Sequence, residues 1–358
     1  MDNPNGSQRY YIGHVDWTGF NGLVEYTGSD QFSAVLQFGT SSQTYQWEGF
    51  YTAAPSTKSR KITVDGGYIK GGANYRMNEN SNIFFNVGQI MRPPSFDGVF
   101  PNADYDFEEA DDITNESFTS FELGYGFISS NFKANINAYH TVWGDRTLRR
   151  STSIDDQGVR IIYDGVEQTH QGIEAEMTWY PSSRLRIRGM ASIGDWKYSK
   201  NFDGDAYFID NNQPAGTTGT LYLDGVKIGD AAQSVLYLGA DYKLSSKLSM
   251  DLDIMSFDNL HGRFGPLDSE FNSANNRGSI KLPSWGTVDL GATYRFSLLG
   301  YDTTARLNIN NLLDEEYLSQ SQTNFHNDGG RTWNGVNVEN QVYFGKGTTW
   351  NLGLNIRF

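Results

Sequence analysis

The last stretch of the chain reads TWNLGLNIRF, residues 349–358. Trp350, Leu352, Leu354, Ile356 and Phe358 are apolar and share one parity, while Asn351, Gly353, Asn355 and Arg357 take the other. Strand side chains alternate between two faces, so this period of two predicts a strand with one oily and one wet face. The pattern recurs upstream in TVDLGATYRF (Val288, Leu290, Ala292, Tyr294), VLYLGADYKL (Leu236, Leu238, Ala240, Tyr242) and GIEAEMTWY (Ile173, Ala175, Met177, Trp179). It returns in FELGYGF (Phe121, Leu123, Tyr125, Phe127), YIKGGANY (Ile69, Ala73, Tyr75) and GFNGLVEY (Phe20, Val24, Tyr26). Six further alternating segments lie between these seven, around Leu36, Phe85, Ile136, Ile187, Leu252 and Leu307. The wet parity carries charge, including Glu25, Lys70, Glu122, Lys133, Glu174, Glu176, Arg184, Arg186, Arg188, Asp241, Asp251, Asp253, Asp289 and Arg306. Thirteen strands with oil on one side and charge on the other predict an all-β, antiparallel transmembrane β-barrel, lipid outside and water within.

The connections alternate in length. Short breaks rich in turn residues are expected at 27–30, 78–81, 129–131, 180–184, 243–247 and 297–300. Long polar loops are expected near 47–63, 92–115, 144–169, 197–232, 258–283 and 311–348. Short turns on one side and long loops on the other fit an outer-membrane barrel, with the turns periplasmic and the loops extracellular. Tyr26, Tyr75, Phe127, Trp179, Tyr242 and Tyr294 each sit beside a short turn on the oily parity. Their amphipathic rings suit the headgroup level, so they are read as the periplasmic aromatic girdle.

Composition agrees with a barrel. Only 38% of residues are hydrophobic and mean hydropathy is -0.54, yet aromatics reach 14%, with 39 glycines against 9 prolines. No segment approaches the ~20 consecutive apolar residues of a membrane helix. A formal charge of -14 argues against nucleic acid, whose phosphates demand a basic surface. The absence of cysteine removes disulfides and thiolate metal sites. The opening MDNPNGSQRYY lacks the basic and apolar regions of a signal peptide, so an exported chain of this kind is expected to continue upstream.

With the terminal strand, NINNLLDEEYL (308–318) resembles the C-terminal end of TonB-dependent outer-membrane receptors, in which an N-L-F-D-x-x-Y-like segment precedes the last loop. Asn311, Leu312, Leu313, Asp314 and Tyr317 carry that motif, with Leu313 where phenylalanine is usual. MRPPSFDGVF, ESFTSFELGYGF and LPSWGTVDLGATYRF also resemble the family's strands and loops, particularly in Bacteroidetes-type members. The resemblance implies a Gram-negative outer-membrane location and a barrel of about 22 strands around a plug. Residues 1–358 are thus expected to be the C-terminal part of the barrel domain, with the plug and N-terminal strands missing. It implies active uptake of a scarce solute: an iron-siderophore complex first, or cobalamin, haem or an oligosaccharide. TonB would act through the plug, and no cofactor is implied. Phe358 is similar to the terminal aromatic by which the barrel-assembly machinery recognises its clients. Outer-membrane lipid and lipopolysaccharide complete the implied partners.

The alternative is a passive fourteen-stranded porin or fatty-acid channel. That requires residues 1–13 to form a strand separate from the one ending at Tyr26, although alternation runs on through WTGFNG.

Candidate ligand contacts come from the loop segments. YHTVWGDRTLRRS offers Trp143, Arg146, Arg149 and Arg150, cations for an anionic solute beside a ring that can stack on it. FHNDGGRTWNG offers His326, Arg331 and Trp333. Solvated loops, or contacts to lipopolysaccharide phosphates, are the bland counterparts. NADYDFEEADD (102–112) concentrates carboxylates without EF-hand spacing, so a solvated acidic loop is expected and no metal site. The five histidines fit no metal or nucleophile motif, and no enzyme is expected.

Overall fold

A computed structural model describes residues 11–50, 57–100, 109–110, 113–154, 157–208, 213–265 and 268–357. Thirteen strands form one continuous antiparallel path. They are β1 (Tyr11–Thr27), β2 (Phe32–Gly49), β3 (Ile62–Arg76), β4 (Ser81–Arg92), β5 (Glu116–Ile128), β6 (Phe132–Ile154) and β7 (Gln157–Ser182). The path continues with β8 (Leu185–Tyr198), β9 (Ser234–Lys243), β10 (Leu248–Asp258), β11 (Trp285–Leu298), β12 (Tyr301–Asn310) and β13 (Thr349–Arg357). β1 runs unbroken through WTGFNG, so the extra strand that a fourteen-stranded channel needs is not found among the described residues. No described helix is long and apolar enough to cross a membrane.

Register carries the oily face around the wall. Leu238 lies opposite Ile254, and Ile254 opposite Val288. Leu290, Ile309 and Trp350 are successive partners on β11, β12 and β13. Because antiparallel partners point the same way, one parity forms a lipid face and the other a lumen face. Large side chains remain exposed on the lipid face, Phe20, Leu123, Ile173, Leu236 and Leu352 among them. A Lys or Arg there costs about 2–4 kcal/mol at the bilayer midplane, which keeps the charges on the other parity. Of the girdle aromatics, Tyr26, Tyr75, Trp179, Tyr242 and Tyr294 are exposed and Phe127 is half-buried.

The short connections fall where the pattern places them. That between β11 and β12 is only Leu299 and Gly300, both with positive φ (53° and 89°). This is the backbone of a type I′ hairpin, which glycine adopts without strain.

One expected loop is instead strand. Residues 144–169 belong largely to the extended ends of β6 and β7, which continue pairing through Ile154 and Gln157. A hairpin, Phe202–Phe208 with Pro214–Leu221, docks on the β7 extension. Val159, Ile161, Tyr163, Phe202, Leu221 and Phe271 form a buried core between them. One parity of the extension, Val159, Ile161 and Tyr163, is covered there by protein rather than by lipid. Two smaller cores lie at the same end, around Trp47 and Phe100 and around Leu282 and Leu318. Among the described residues β1 and β13 do not pair, and both run toward the short-turn side. The sheet is therefore open, and direct closure would set two parallel strands side by side.

Candidate functional site

At the long-loop end of the lumen face, β4 to β8 bring together a ring-and-cation cluster. Trp143 stacks on Phe118, with centroids 4.9 Å apart and planes at 25°. The Arg146 guanidinium carbon lies 3.7 Å from the Trp143 ring centroid, close enough for cation–π attraction. Trp143 Nε1 donates to Glu116 Oε2 at 3.2 Å, and Arg92 also pairs with Glu116 while approaching Phe118 at 5.6 Å. On the next strands the His170 imidazole lies 5.7 Å from Trp196, whose Nε1 donates to Tyr139 Oη at 2.8 Å.

Trp143 and Arg146 have opposite parity, so a regular strand would send them to opposite faces. β6 avoids this through two register shifts, between Trp143 and Arg146 and between Arg146 and Leu148, with Asp145 at φ 56°. Such a bulge re-aims a side chain, and here it lays Arg146 over the lumen-facing indole. Ser117 Oγ donates to the Asp145 carboxylate at 2.6 Å and pins the bulge.

Two polar atoms in this cluster are buried without a partner: Arg146 Nε and His170 Nε2. A buried polar group left unsatisfied costs about 1–3 kcal/mol, so a ligand that supplies an acceptor to Arg146 recovers stabilisation that the wall by itself lacks. The arrangement offers a positive charge, ring faces for stacking and an acceptor-seeking N–H.

Arg149 and Arg150 lie beyond the bulge, their backbones opposite Ile162 and Ile161, and their side chains are outside the described residues. Phe118, Glu116, Arg92, Tyr139, His170 and Trp196 were not singled out from sequence. Their signal is nonetheless present: each is an aromatic, histidine or charged residue on the wet parity near the long-loop end of its strand.

The candidates in 311–348 are placed otherwise. Asn311, at φ 49°, is buried and fully engaged. Its N–H donates to Asp289 Oδ1 at 2.7 Å, and its Nδ2 donates to the carbonyls of Glu315 (3.0 Å) and Lys346 (3.1 Å). Its Oδ1 accepts from Glu315 N at 2.9 Å. Asp314 Oδ1 accepts from Thr348 N at 2.8 Å, tying the start of β13 to the end of β12. Tyr317 stacks on Trp285 at 3.8 Å, and Trp285 on Phe257 at 4.0 Å. A Cβ on Gly345 would stand 1.9 Å from the Tyr317 ring, so glycine is needed for that approach. Leu312 donates its N–H to Val288 O at 2.7 Å, and Leu313 is exposed. The motif is thus a clasp that returns the chain from loop to strand.

His326 Nε2 lies 2.9 Å from Gly278 O, and its own carbonyl accepts from Asn337 Nδ2 at 3.0 Å. Trp333 packs edge-on against Phe344 at 5.2 Å, and Arg331 is exposed. These residues stitch two long connecting segments together. In the same seam Arg277 bridges Glu270 and Asp328. Arg277 holds the Glu270 carboxyl down at about 2 and is itself raised by Glu270 and Asp328.

No group of three metal-ligating side chains gathers among the described residues. In the acidic stretch Glu109 pairs with Arg60, while Asp104, Asp106, Glu108, Asp111 and Asp112 lie outside the described residues. Phe358 does too.

Comparison with known proteins places this geometry. No curated protein sequence matches the chain. Among solved structures, the siderophore receptor PiuA from Acinetobacter baumannii aligns with TM-score 0.69 at 14% identity, over 97% of this chain and 44% of that one. The copper transporter OprC aligns at 0.61 and 14%, over 98% and 50%. The ferric-catecholate import receptor Fiu from K12 E. coli aligns at 0.65 and 12%, over 97% and 45%. At such identities these likenesses concern the fold, and the chain spans about half the length of those proteins. The family model "TonB dependent receptor-like, beta-barrel" matches residues 2–312. Thirteen register-locked strands with a lipid face, a charged lumen face and that match together mean that the chain belongs to the TonB-dependent receptor β-barrel family.

Proposed function

We propose that this chain is the C-terminal part of the barrel of a Gram-negative outer-membrane receptor that imports a scarce solute by TonB-dependent active transport. The open sheet and its two edge strands running the same way support a larger barrel, since an odd number of further strands lets every pairing stay antiparallel. The solute is an anionic, ring-bearing one of the ferric-siderophore type. The observation that carries this reading is Arg146, seated on Trp143 with its Nε buried and unpartnered. Such a group favours an anionic acceptor over a neutral oligosaccharide. Phe358 serves barrel assembly, and the outer rim meets lipopolysaccharide. The test is ferric-siderophore binding and uptake by the whole receptor, with and without TonB. Uptake that continues in a TonB-deficient strain, or affinity untouched by Trp143→Ala and Arg146→Ala together, would overturn the reading.

A further inference from the structure

Beyond the end of β10 three connecting segments cross at one histidine. His261 is only 9% exposed, and its backbone pairs with Lys281 as an isolated antiparallel bridge. Gly262 N donates to Ile280 O and Leu282 N to Leu260 O, both at 2.8 Å, while Asp230 N donates to His261 O at 3.3 Å. Segments 227–230, 260–263 and 278–282 are thereby held edge to edge. The approach is close, since a Cβ on Gly229 would stand 2.6 Å from Gly262 O. Leu260, Ile280 and Leu282 share a core with Leu318 and Val336, so the crossing also anchors the segment 311–348.

The ring is fixed by Ser279. Its Nδ1 lies 3.3 Å from Ser279 O and 3.2 Å from Ser279 Oγ. Ser279 Oγ donates its proton to Lys227 O at 2.9 Å, so Nδ1 carries the hydrogen and donates to Ser279. That tautomer leaves Nε2 as the atom that gains a proton. Charges face the ring from each neighbouring segment. Lys227 and Lys281 disfavour the imidazolium, and Asp258 favours it. Both lysines are themselves bridged, Lys227 to Asp195, which also holds Lys197, and Lys281 to Asp258 at 2.8 Å. Arg263 and Asp230 pair with each other at 2.8 Å beside the crossing. Burial, the largest cause, and the two lysines outweigh the Ser279 bond and Asp258, and hold the ring below the 6.5 of a free imidazole.

We propose that His261 is an acid-sensitive latch at the long-loop end: with a neutral ring the three segments stay knit, and protonation of Nε2 parts them. A proton there sets a third positive charge beside two ammonium groups in a site closed to water, and separating the segments is what lets water solvate it. The parted state binds that proton more readily than the knit one. Stability of the crossing is therefore complete above 6.5 and is lost as pH falls through the depressed value. Glu270 acts only below 4.5, which sets the two apart.

The test follows amide protection at Gly262 and Leu282 in the whole receptor from about pH 8 to about pH 4.5, corrected for the intrinsic pH dependence of exchange. Protection should fall by about tenfold, the loss expected when a buried hydrogen-bonded group becomes an uncompensated charge. His261→Gln, uncharged throughout and still able to donate to Ser279, should hold protection level. Lys227→Met removes one facing cation, so its midpoint should move up in pH, a shift that a merely structural ring would not show. Glu270→Gln should leave the midpoint in place. Wild-type protection that stays level, a His261→Gln variant that loses protection as the wild type does, or a Lys227→Met midpoint that fails to rise overturns the latch. If His261→Gln does not fold, the Lys227→Met midpoint decides.

Discussion

Two clusters of aromatic and cationic residues, one on the β4–β8 wall and one in the segment 311–348, look alike in sequence and differ in what their polar atoms are doing. Around Asn311 and His326 the amide, carboxylate and imidazole groups are engaged with neighbouring backbone or side chains, and the buried atom without a partner is the neutral Trp285 Nε1 stacked against Tyr317. Around Trp143, Arg146 Nε and His170 Nε2 are buried with no partner. A satisfied amide or carboxylate has nothing further to gain from a ligand, whereas an orphaned guanidinium N–H gains a charge-assisted bond as soon as a ligand brings an acceptor. The difference teaches that the second cluster holds the loops, while the first is left open for the solute contact proposed above.

The comparison can be broken most forcefully at the clasp. Asn311→Ala removes four hydrogen bonds' worth of backbone anchoring less the one made by its own N–H, and should destabilise the whole receptor by about 2–4 kcal/mol, read as a lowered heat-modifiability temperature. Gly345→Ala should act in the same direction by about 1–3 kcal/mol, because its methyl meets the Tyr317 ring. Neither should change intrinsic solute affinity in the folded fraction. If either abolishes binding while folding is intact, the division into clasp and contact is wrong.

The next effect lies on the wall. Arg146→Leu removes the charge and the orphaned Nε together, so it should weaken binding of an anionic siderophore by about tenfold, as expected for loss of one charge-assisted hydrogen bond, with thermal stability unchanged or slightly raised. Isothermal titration against a melting curve separates the two. His326→Ala should show the reverse pattern, a small loss of stability of about 1 kcal/mol and no loss of affinity.

The smallest effect is on pH. Glu270 is held at about 2 by Arg277, below the 4.5 of an unstrained glutamate. A carboxyl whose folded value is depressed contributes stability that is complete above 4.5 and is lost as pH falls toward 2. The seam between segments 259–284 and 311–348 should therefore loosen across that window, seen as faster amide exchange at Gly278 and Ile280. Glu270→Gln should flatten the dependence; exchange that stays flat in the wild type would remove Glu270 from the seam.

Much of the wall was legible in advance because lipid and water impose a period of two that nothing else in the sequence disturbs. Thirteen alternating segments became thirteen strands, with the breaks at 129–131 and 243–247 falling at turns. Residues 144–169 were misread as loop for the complementary reason. Val159, Ile161 and Tyr163 do alternate, but they pack under the Phe202–Leu221 hairpin in a local core, within a stretch that is otherwise largely polar because no lipid covers it.

The sequence by itself determined which face of each strand meets lipid, since the transfer cost of a charge into hydrocarbon acts on every residue independently. It also supplied the motif from Asn311 to Tyr317, although not what the motif does. Tertiary structure alone decided which of the aromatic and cationic residues share a site. Trp143 and Arg146 lie on opposite parities and meet only because a bulge turns one of them around. Parity is a property of one strand, whereas a site is a property of the pairing between strands, and pairing is fixed by contacts that sequence spacing does not record.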